Sequence, residues 1–314
     1  MRKTDMRTLI KNGTVVSPSG ATPQDVLIDG EVVVALGAPG HFASAEEGAD
    51  RVIDATGKYV IPGGVDVHTH MELPFGGTYA SDTFETGSTA AAWGGVTTIV
   101  DMAVQRTGES VQEGLADWHR KAEGECAIDY GFHQIIGGVD EASLAYMPQL
   151  LDEGISSYKM FMAYPGVFYS DDGQILRAMQ KAAELGLLTM MHAENGPAID
   201  VLAAQLAEAG KTTPYYHGIA RAWQMEEEAT HRAIMLSHLT GAPLYVVHVS
   251  AKQAVEQLER LGWDRSVDAA SEYIDSITED GEPILVFDAN RLATEQNATL
   301  DKLMIRGFDL GVHV

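Results

Sequence analysis

Two histidines separated by one residue follow a short apolar segment in the sequence VDVHTH. Residues 65–67, which come directly after a Pro-Gly-Gly turn, predict a strand. In a strand, residues i and i+2 point to the same face, so the imidazoles of His68 and His70 converge. Converging neutral imidazoles, with Asp66 beside them, are typical ligands of a first-row metal ion. The motif is short, however, and two solvated histidines at a strand end are the alternative interpretation.

Three later apolar segments also carry side chains that can bind a metal ion or move a proton. SSYKMFMAY contains Lys159 and, five residues later, Tyr164; LLTMMH ends in His192, and LYVVHV contains His248. A lysine inside an apolar strand loses several kcal/mol of hydration unless it is neutralised or paired, so Lys159 needs a chemical explanation. Each of the two histidines is also consistent with a hydrogen-bonded core residue. His133, in the middle of its segment, is interpreted as structural.

The elements that would position these residues alternate between strand and helix from residue 65 onward. Apolar segments at 65–68, 96–101, 130–136, 156–162, 187–192 and 244–249 alternate with helical segments at 82–93, 110–123, 141–153, 174–185, 197–209 and 223–240. This alternation favours a parallel sheet with helical crossovers, and six such units make about three-quarters of a (β/α)8 TIM barrel. A doubly wound sheet is the alternative, but its glycine-rich loop should follow the first strand rather than precede it. In a barrel, the carboxyl ends of the strands share one face, where the candidate residues would meet.

Residues 1–59 predict a separate small β unit, part of a β-sandwich. Segments such as TLIKNGTVV and DVLIDGEVVVALG are rich in β-branched residues, with turn signals at Asn12-Gly13, Asp29-Gly30 and Thr56-Gly57. The predicted organisation is a small β domain at 1–59, a barrel portion at 60–263 and an acidic tail at 264–314.

Composition excludes several classes of partner. The chain has 314 residues and a formal net charge of −24, which repels nucleic acid and anionic membranes. A single cysteine, Cys126, leaves no internal disulfide and fits a reducing compartment. The sequence contains neither an apolar signal region at its start nor an apolar run of about 18 residues. The expectation is a soluble cytoplasmic protein.

The segments around the candidate residues resemble one family of enzymes. HTHMELPFGGTYASDTFETGSTAAAWGGVTTIVDM, SSYKMFMAY, MMHAENG and LYVVHVSA are similar to the dihydropyrimidinase and D-hydantoinase family of cyclic amidohydrolases. The similarity covers residues 8–263 and includes HGIARAWQMEEEATHR, where Ala220 and Ala222 replace the usual Ser and Pro. Dihydroorotase, a neighbouring branch, has an arginine where this chain has Glu72, which disfavours a substrate that bears a carboxylate.

The resemblance implies a metal-dependent hydrolase that opens dihydropyrimidines or hydantoins to N-carbamoyl amino acids. Members bind two divalent metal ions, usually zinc, bridged by a lysine that is carboxylated on its side-chain nitrogen, here Lys159. The resemblance assigns His68 and His70 to one metal ion, and His192 and His248 to the other. The metal ions generate a nucleophilic hydroxide near neutral pH.

The resemblance also implies the surroundings of the substrate. Tyr164 would donate its phenolic hydrogen to the developing oxyanion. Leu73 and Phe75 are candidates for the apolar wall that sorts substrates, and relatives are commonly tetramers, which predicts a homo-oligomer. The expected partner is therefore a small cyclic amide.

Residues 264–314 do not resemble the family. In relatives, strand eight supplies an aspartate that binds metal and shuttles a proton, and no such motif follows Trp263. The tail predicts an acidic loop, a strand at 284–288 and a helix from Ala289, so the barrel is expected to be incomplete at its C-terminal end. Asp288 is the candidate replacement, with a solvated strand end as the alternative. Two hypotheses stay open: a metal-dependent cyclic-amide hydrolase that is active or was recently so, and a non-catalytic binding or assembly protein on the same scaffold. Without the strand-eight aspartate, the chain is expected to hydrolyse its substrates poorly or not at all.

Overall fold

The computed structural model describes residues 6–106 and 108–261. These residues form two compact units, 6–64 and 65–261. Within the described ranges, no helix is long and apolar enough to cross a lipid bilayer. The predicted tail at 264–314, with its strand at 284–288 and Asp288, lies outside the described residues.

The first unit consists of one short helix and a five-stranded sheet: β1 (Arg7–Ser17), β2 (Gly20–Asp29), β3 (Val32–Gly37), α1 (Ala43–Glu46), β4 (Arg51–Asp54) and β5 (Tyr59–Val60). The long strand β1 organises this sheet, since it pairs antiparallel with β2 and parallel with β4 and β5. β3 adds to the other side of β2. Leu9, Val16 and Val26 provide buried apolar side chains. This unit therefore has the small β organisation predicted for the start of the chain.

One predicted turn in the first unit is wrong. Asn12 and Gly13 do not join two strands but form a bulge inside β1, where the pairing with β2 shifts between Ile10 and Gly13. Asn12 has φ 62°, a left-handed conformation that asparagine tolerates, and Asp25 accepts its backbone N–H at 2.8 Å. The strand therefore continues through a residue pair that usually turns. The other two predicted turns are confirmed.

The second unit alternates strands and helices in the predicted order. Its strands are β6 (Gly64–Thr69), β7 (Pro74–Phe75), β8 (Thr78–Tyr79), β9 (Val96–Val104), β10 (Asp129–Ile135), β11 (Ser157–Phe161), β12 (Leu188–His192) and β13 (Leu244–Val246). Its helices are α2 (Phe84–Trp93), α3 (Val111–Ala122), α4 (Glu141–Asp152), α5 (Asp172–Leu185), α6 (Gly196–Glu208), α7 (Pro214–Ala220), α8 (Trp223–Thr240) and α9 (Lys252–Arg260). Helices α7 and α9 were not predicted from the sequence.

Local sequence explains where several of these helices begin and end. Thr83, Ser110 and Asp171 begin α2, α3 and α5 with reciprocal capping boxes, which satisfy backbone N–H groups of the first turn. Helices α5 and α8 end at Gly186 and Gly241, both with φ 73°, which a residue with a Cβ rarely adopts. The chain therefore turns at these two glycines and enters β12 and β13 within three residues.

The six main strands of the second unit form a curled sheet. Their order is β6-β9-β10-β11-β12-β13, and every ladder from β9 to β13 is parallel. β6 and β13 lie at opposite ends of this order, yet the ring centroids of His68 and His248 are 5.5 Å apart. Five strand intervals in a flat sheet would separate them by roughly 24 Å. The sheet therefore curves back on itself as half of a barrel, which contradicts an open, doubly wound sheet.

Alternation along β11 explains how a lysine comes to lie inside this curve. Tyr158 and Met160 pack against Ile175 and Met179 of α5, on the face that the helices cover. Because successive residues of a strand point to opposite faces, Lys159 points to the concave face of the sheet. All five residues of β11 are buried. The same alternation that builds the core therefore directs the amino group towards the other strand ends.

Candidate metal centre

The paired histidines lie at the carboxyl end of β6, as predicted. His68 is buried, and His70 comes directly after the strand. Their ring centroids are 5.2 Å apart, and Asp66 accepts the backbone N–H of His68 at 3.1 Å. The two imidazoles are therefore neighbours, and the backbone that carries them is braced by a carboxylate on the same strand.

Lys159 reaches the same place from β11. The residue is only 1% exposed, and its Nζ lies 2.9 Å from Nε2 of His68. The Nζ also lies 5.1 Å from the ring centroid of Phe161. A buried ammonium group is expensive to desolvate, so this position favours the neutral amine or a chemical change that removes the positive charge.

The remaining two histidines complete the cluster from β12 and β13. His192 ends β12, and its ring centroid is 4.7 Å from that of His248, which follows β13. His248 has φ 40°, an unfavourable conformation for a residue with a Cβ, and such strain is concentrated at functional sites. Together with the 5.5 Å contact between His68 and His248, these distances join the ends of three strands. The structure therefore brings together all of the residues predicted to bind metal.

Glu194 and Arg221 belong to the same site, although sequence reasoning gave them no role. Glu194 accepts a hydrogen bond from Nε2 of His192 at 2.6 Å and forms a close ion pair with Arg221. Burial raises the pKa of the Glu194 carboxyl, but the bonds and charges of His192 and Arg221 outweigh that effect, and the pKa is lowered. The spacing of two residues from His192 was the only local signal for Glu194. Arg221 lies between two helices, far away in the sequence.

Burial also keeps the His192 imidazole in the form that can bind a metal. Desolvation lowers the pKa of His192, even though Glu194 opposes it. A neutral ring has one N–H, and the ionised carboxylate of Glu194 can only accept, so this N–H sits on Nε2. The lone pair is then left on Nδ1. This pairing of a carboxylate with a histidine is the arrangement that orients metal ligands in many sites.

An aromatic wall stands beside the histidines. Tyr164 has φ 63°, and its ring centroid is 5.1 Å from that of His192 and 5.0 Å from that of Phe75. Phe75 stacks on Phe168 at 6.2 Å, and the β7–β8 hairpin presents it. Leu73 is partly buried beside the same apolar cluster. Burial raises the pKa of Tyr164, so its phenol stays protonated and can donate a hydrogen bond.

His133, interpreted as structural, differs from the other histidines in its contacts. Its Nε2 lies 2.9 Å from the carbonyl oxygen of Val67, and its Nδ1 contacts the hydroxyl of Ser157. Burial lowers the pKa of His133 to about 4. Both ring nitrogens are therefore engaged by protein groups below the cluster.

The donor atoms suit a divalent metal ion, although several of these side chains are hydrogen-bonded to one another. Within residues 6–106 and 108–261, no three or more His, Cys, Asp or Glu side chains form a ready metal-binding group. The reason is visible in the contacts, since Nε2 of His68 faces Lys159 and Nε2 of His192 faces Glu194. Each imidazole has a second nitrogen, and neutral imidazoles are preferred ligands of zinc and related metals. The residues present therefore fit such an ion.

Comparison with known families supports this interpretation. The sequence model of the Amidohydrolase family matches residues 59–254. This chain belongs to the amidohydrolase family. The match includes every residue of the cluster, from His68 to His248. The resemblance inferred from the sequence motifs is thereby confirmed.

Relatives of this amidohydrolase include hydantoinases and dihydropyrimidinases. It is 62% identical over 254 residues to a D-hydantoinase of Streptomyces coelicolor, covering 81% of this chain and 54% of the relative. It is 46% identical to the D-hydantoinase of Geobacillus stearothermophilus, covering 81% and 53%. The crystal structure of dihydropyrimidinase from Brevibacillus agri NCHU1002 superposes with a TM-score of 0.78 at 46% identity, covering 82% of this chain and 56% of that one. The chain spans about half the length of the relatives it matches.

Proposed function

We propose that this amidohydrolase opens the cyclic amide bond of dihydropyrimidines or hydantoins and yields N-carbamoyl amino acids. The observation that carries the proposal is the meeting of His68, Lys159, His192 and His248, which β6, β11, β12 and the segment after β13 supply. High identity to a D-hydantoinase over the same residues supports the choice of substrate class. We expect two divalent metal ions as cofactors, with zinc as the first candidate.

Each ligand has a distinct place in this proposal. His68 and His70 would hold one ion, His192 and His248 the other, and Lys159 would bridge them as a carbamate. Carbon dioxide would add to the neutral amine with loss of one proton to solvent, which gives an anion with two oxygen donors and would account for a lysine that is 1% exposed. When bound, the ions activate a water molecule and polarise the carbonyl of the substrate.

Glu194 would serve as the carboxylate that orients His192. By accepting the Nε2–H, it fixes the tautomer, so that Nδ1 would be the atom of His192 that holds the ion. Arg221 forms an ion pair with Glu194, and its guanidinium carbon also lies 5.2 Å from the ring centroid of Tyr164. One arginine therefore links the ligand side of the site to its substrate side.

Tyr164, Leu73 and Phe75 would form the substrate side. The phenol of Tyr164, kept protonated by burial, would donate to the oxygen on which negative charge develops. Phe75 and Leu73 would contact the ring substituent of the substrate, because Phe75 packs on Tyr164 at 5.0 Å and Leu73 packs against the same apolar cluster. The predicted domain division at 1–59, 60–263 and 264–314, and a homo-oligomer, stay part of the proposal.

The deciding experiment measures metal content and turnover on one sample. The chain should contain divalent metal by elemental analysis, and His68→Ala and His192→Ala should each lose most of it. Hydrolysis of dihydrouracil and hydantoin should depend on that metal, and Tyr164→Phe should lower kcat by about 10²–10³-fold with its metal retained. Unchanged metal content in both alanine variants would refute the site.

A second result would favour the non-catalytic hypothesis over hydrolysis. In that case the chain would bind metal through the same residues, but neither substrate would be turned over and Tyr164→Phe would change nothing. Asp288→Asn tests the tail on the same samples. Loss of turnover in this variant would show that Asp288 takes the part that strand eight plays in relatives.

A further inference from the structure

A buried carboxylate in the neighbouring strand accepts hydrogen bonds from the segment that carries His68 and His70. Asp101, in β9, is 0% exposed. Its Oδ2 accepts hydrogen bonds from the Thr69 hydroxyl at 2.7 Å and from the backbone N–H of Met71 at 2.8 Å. These two donors alternate with the two histidines along the chain. The residues on both sides of His70 are therefore bonded to one carboxylate, Thr69 through its hydroxyl and Met71 through its backbone N–H.

The other oxygen of the same carboxylate is used from the opposite side. Asp101 Oδ1 accepts the indole N–H of Trp118, in α3, at 2.8 Å, and Trp118 is 1% exposed. Both oxygens therefore face donors. A carboxylate accepts at both ends, whereas the amide of an asparagine must turn its NH₂ towards one of these donors. Only an acidic side chain of this length satisfies all three.

The carboxylate of Asp101 is costly to bury in the folded protein. Burial raises the pKa of Asp101 to about 6, and its hydrogen bonds oppose that rise. A buried charge is weak evidence for stabilisation, since apolar residues of similar volume often serve a core as well or better. Packing alone therefore does not explain why an acidic group lies under the metal-binding segment.

We propose that Asp101 is a positioning residue that sets the direction of the His68 and His70 imidazoles towards a divalent cation. The inference rests on the proposed metal-dependent function. Asp101 does not touch the cation or the substrate; it acts through the backbone and hydroxyl of residues 69–71. Trp118 holds the carboxylate from the far side, and its single side-chain N–H is used by Asp101, so its indole donates no hydrogen bond to residues 69–71.

Zinc affinity, measured by competition with a chromogenic chelator, tests this role. Asp101→Asn should bind zinc about 10–100-fold more weakly than the parent, the usual effect of losing a group that orients a ligand. Thr69→Val removes one of the two donors and should show a smaller loss in the same direction. Trp118→Phe is the matched control, since it removes a bond to the same carboxylate but leaves residues 69–71 bonded.

Thermal unfolding without metal separates positioning from simple stability. Trp118→Phe should lower Tm but keep zinc affinity within about threefold of the parent. Thr69→Val should weaken zinc binding more than Trp118→Phe does, although loss of a buried hydrogen bond also lowers its Tm. Equal zinc affinity in Asp101→Asn and the parent would overturn this inference and leave the proposed function standing. A Trp118→Phe variant that loses as much affinity as Thr69→Val would also overturn it. If Asp101→Asn does not fold, the comparison of Thr69→Val with Trp118→Phe decides. A parent chain that binds no zinc would instead refute the proposed function, and this inference with it.

Discussion

Gly196 is the point where the start of α6 touches the end of β11, and a single methyl group there should disturb the site. A Cβ added at Gly196 would lie 2.6 Å from Cα of Ala163 and 3.0 Å from the carbonyl oxygen of Met162. These are backbone atoms of the residues before Tyr164, so no flexible side chain can move aside. Gly196→Ala therefore requires the helix and the strand end to separate by nearly 1 Å, since carbon atoms pack at about 3.5 Å.

The expected destabilisation follows from that overlap. Overpacking of a well-packed site costs about 1–3 kcal/mol. For a domain of this size each kcal/mol corresponds to roughly 2–4 °C, so Tm of the metal-free protein should fall by about 2–12 °C. Because the displaced strand end carries Tyr164, the turnover proposed above should fall while the proposed ligand histidines stay in place.

Gly218→Ala is the matched control. Gly218 lies inside α7, and a Cβ there would meet nothing within 4 Å. Removing a glycine from a helix should raise the free energy of unfolding by about 0.5–1 kcal/mol. The two variants, compared by differential scanning calorimetry, should therefore shift Tm in opposite directions. A Gly196→Ala protein as stable as the parent would refute the close approach of helix and strand.

Three further predictions address the site and its surroundings. Lys159→Ala should lose metal, and a short-chain carboxylic acid at high concentration should restore part of it. Lys159→Arg should not respond to the acid, because guanidinium cannot form a carbamate. Elemental analysis after desalting measures the metal content of both variants. Glu194→Gln should weaken zinc binding by about 10–100-fold in chelator competition, because the amide no longer enforces the Nε2–H tautomer of His192; Glu228→Gln, at the surface, should leave affinity unchanged. Below pH 6.5 the unfolded chain protonates His133 before the folded protein does, because burial lowers its folded pKa to about 4. As the pH falls between these two values, the parent should therefore lose up to about 3 kcal/mol of stability relative to His133→Gln, at about 1.4 kcal/mol per pKa unit. The free energies of unfolding of both proteins would be measured by denaturant titration from pH 7 to 4. A constant difference between them would contradict this prediction.

The residues that could be predicted from sequence lie on regular strands. His68, Lys159 and His192 each occupy a position fixed by strand period and strand end, so convergence followed from the barrel geometry alone. The same reasoning gave the curled sheet, whose strand bounds differ from the predicted ones by a few residues at most.

The residues that sequence reasoning missed depend on tertiary contacts with no local pattern. Arg221 reaches Glu194 from the break between α7 and α8, 27 residues away, and periodicity says nothing about such a pair. Asp101 reads as the polar end of an apolar strand, and only the structure shows the three donors around it. Asn12 adopts the left-handed conformation that its turn propensity favours. The chain forms a bulge there instead of a turn, because Asp25 of the neighbouring strand accepts its backbone N–H.

The contact between Lys159 and His68 joins residues 91 positions apart, and His248 closes the cluster still later in the chain. At about 5–20 residues per second, the ribosome needs roughly 9–36 s to pass from the first of these histidines to the last. The nascent chain therefore exposes the His-x-His pair long before its partners exist, and the metal binding proposed for the whole set has to wait until the curled sheet has formed. An ion that binds only this folded form stabilises it by mass action, by about 2.7 kcal/mol at a hundredfold excess over Kd. Zinc supply in the growth medium should accordingly alter how long the mature protein survives proteolysis, and leave the rate at which the sheet first assembles unchanged.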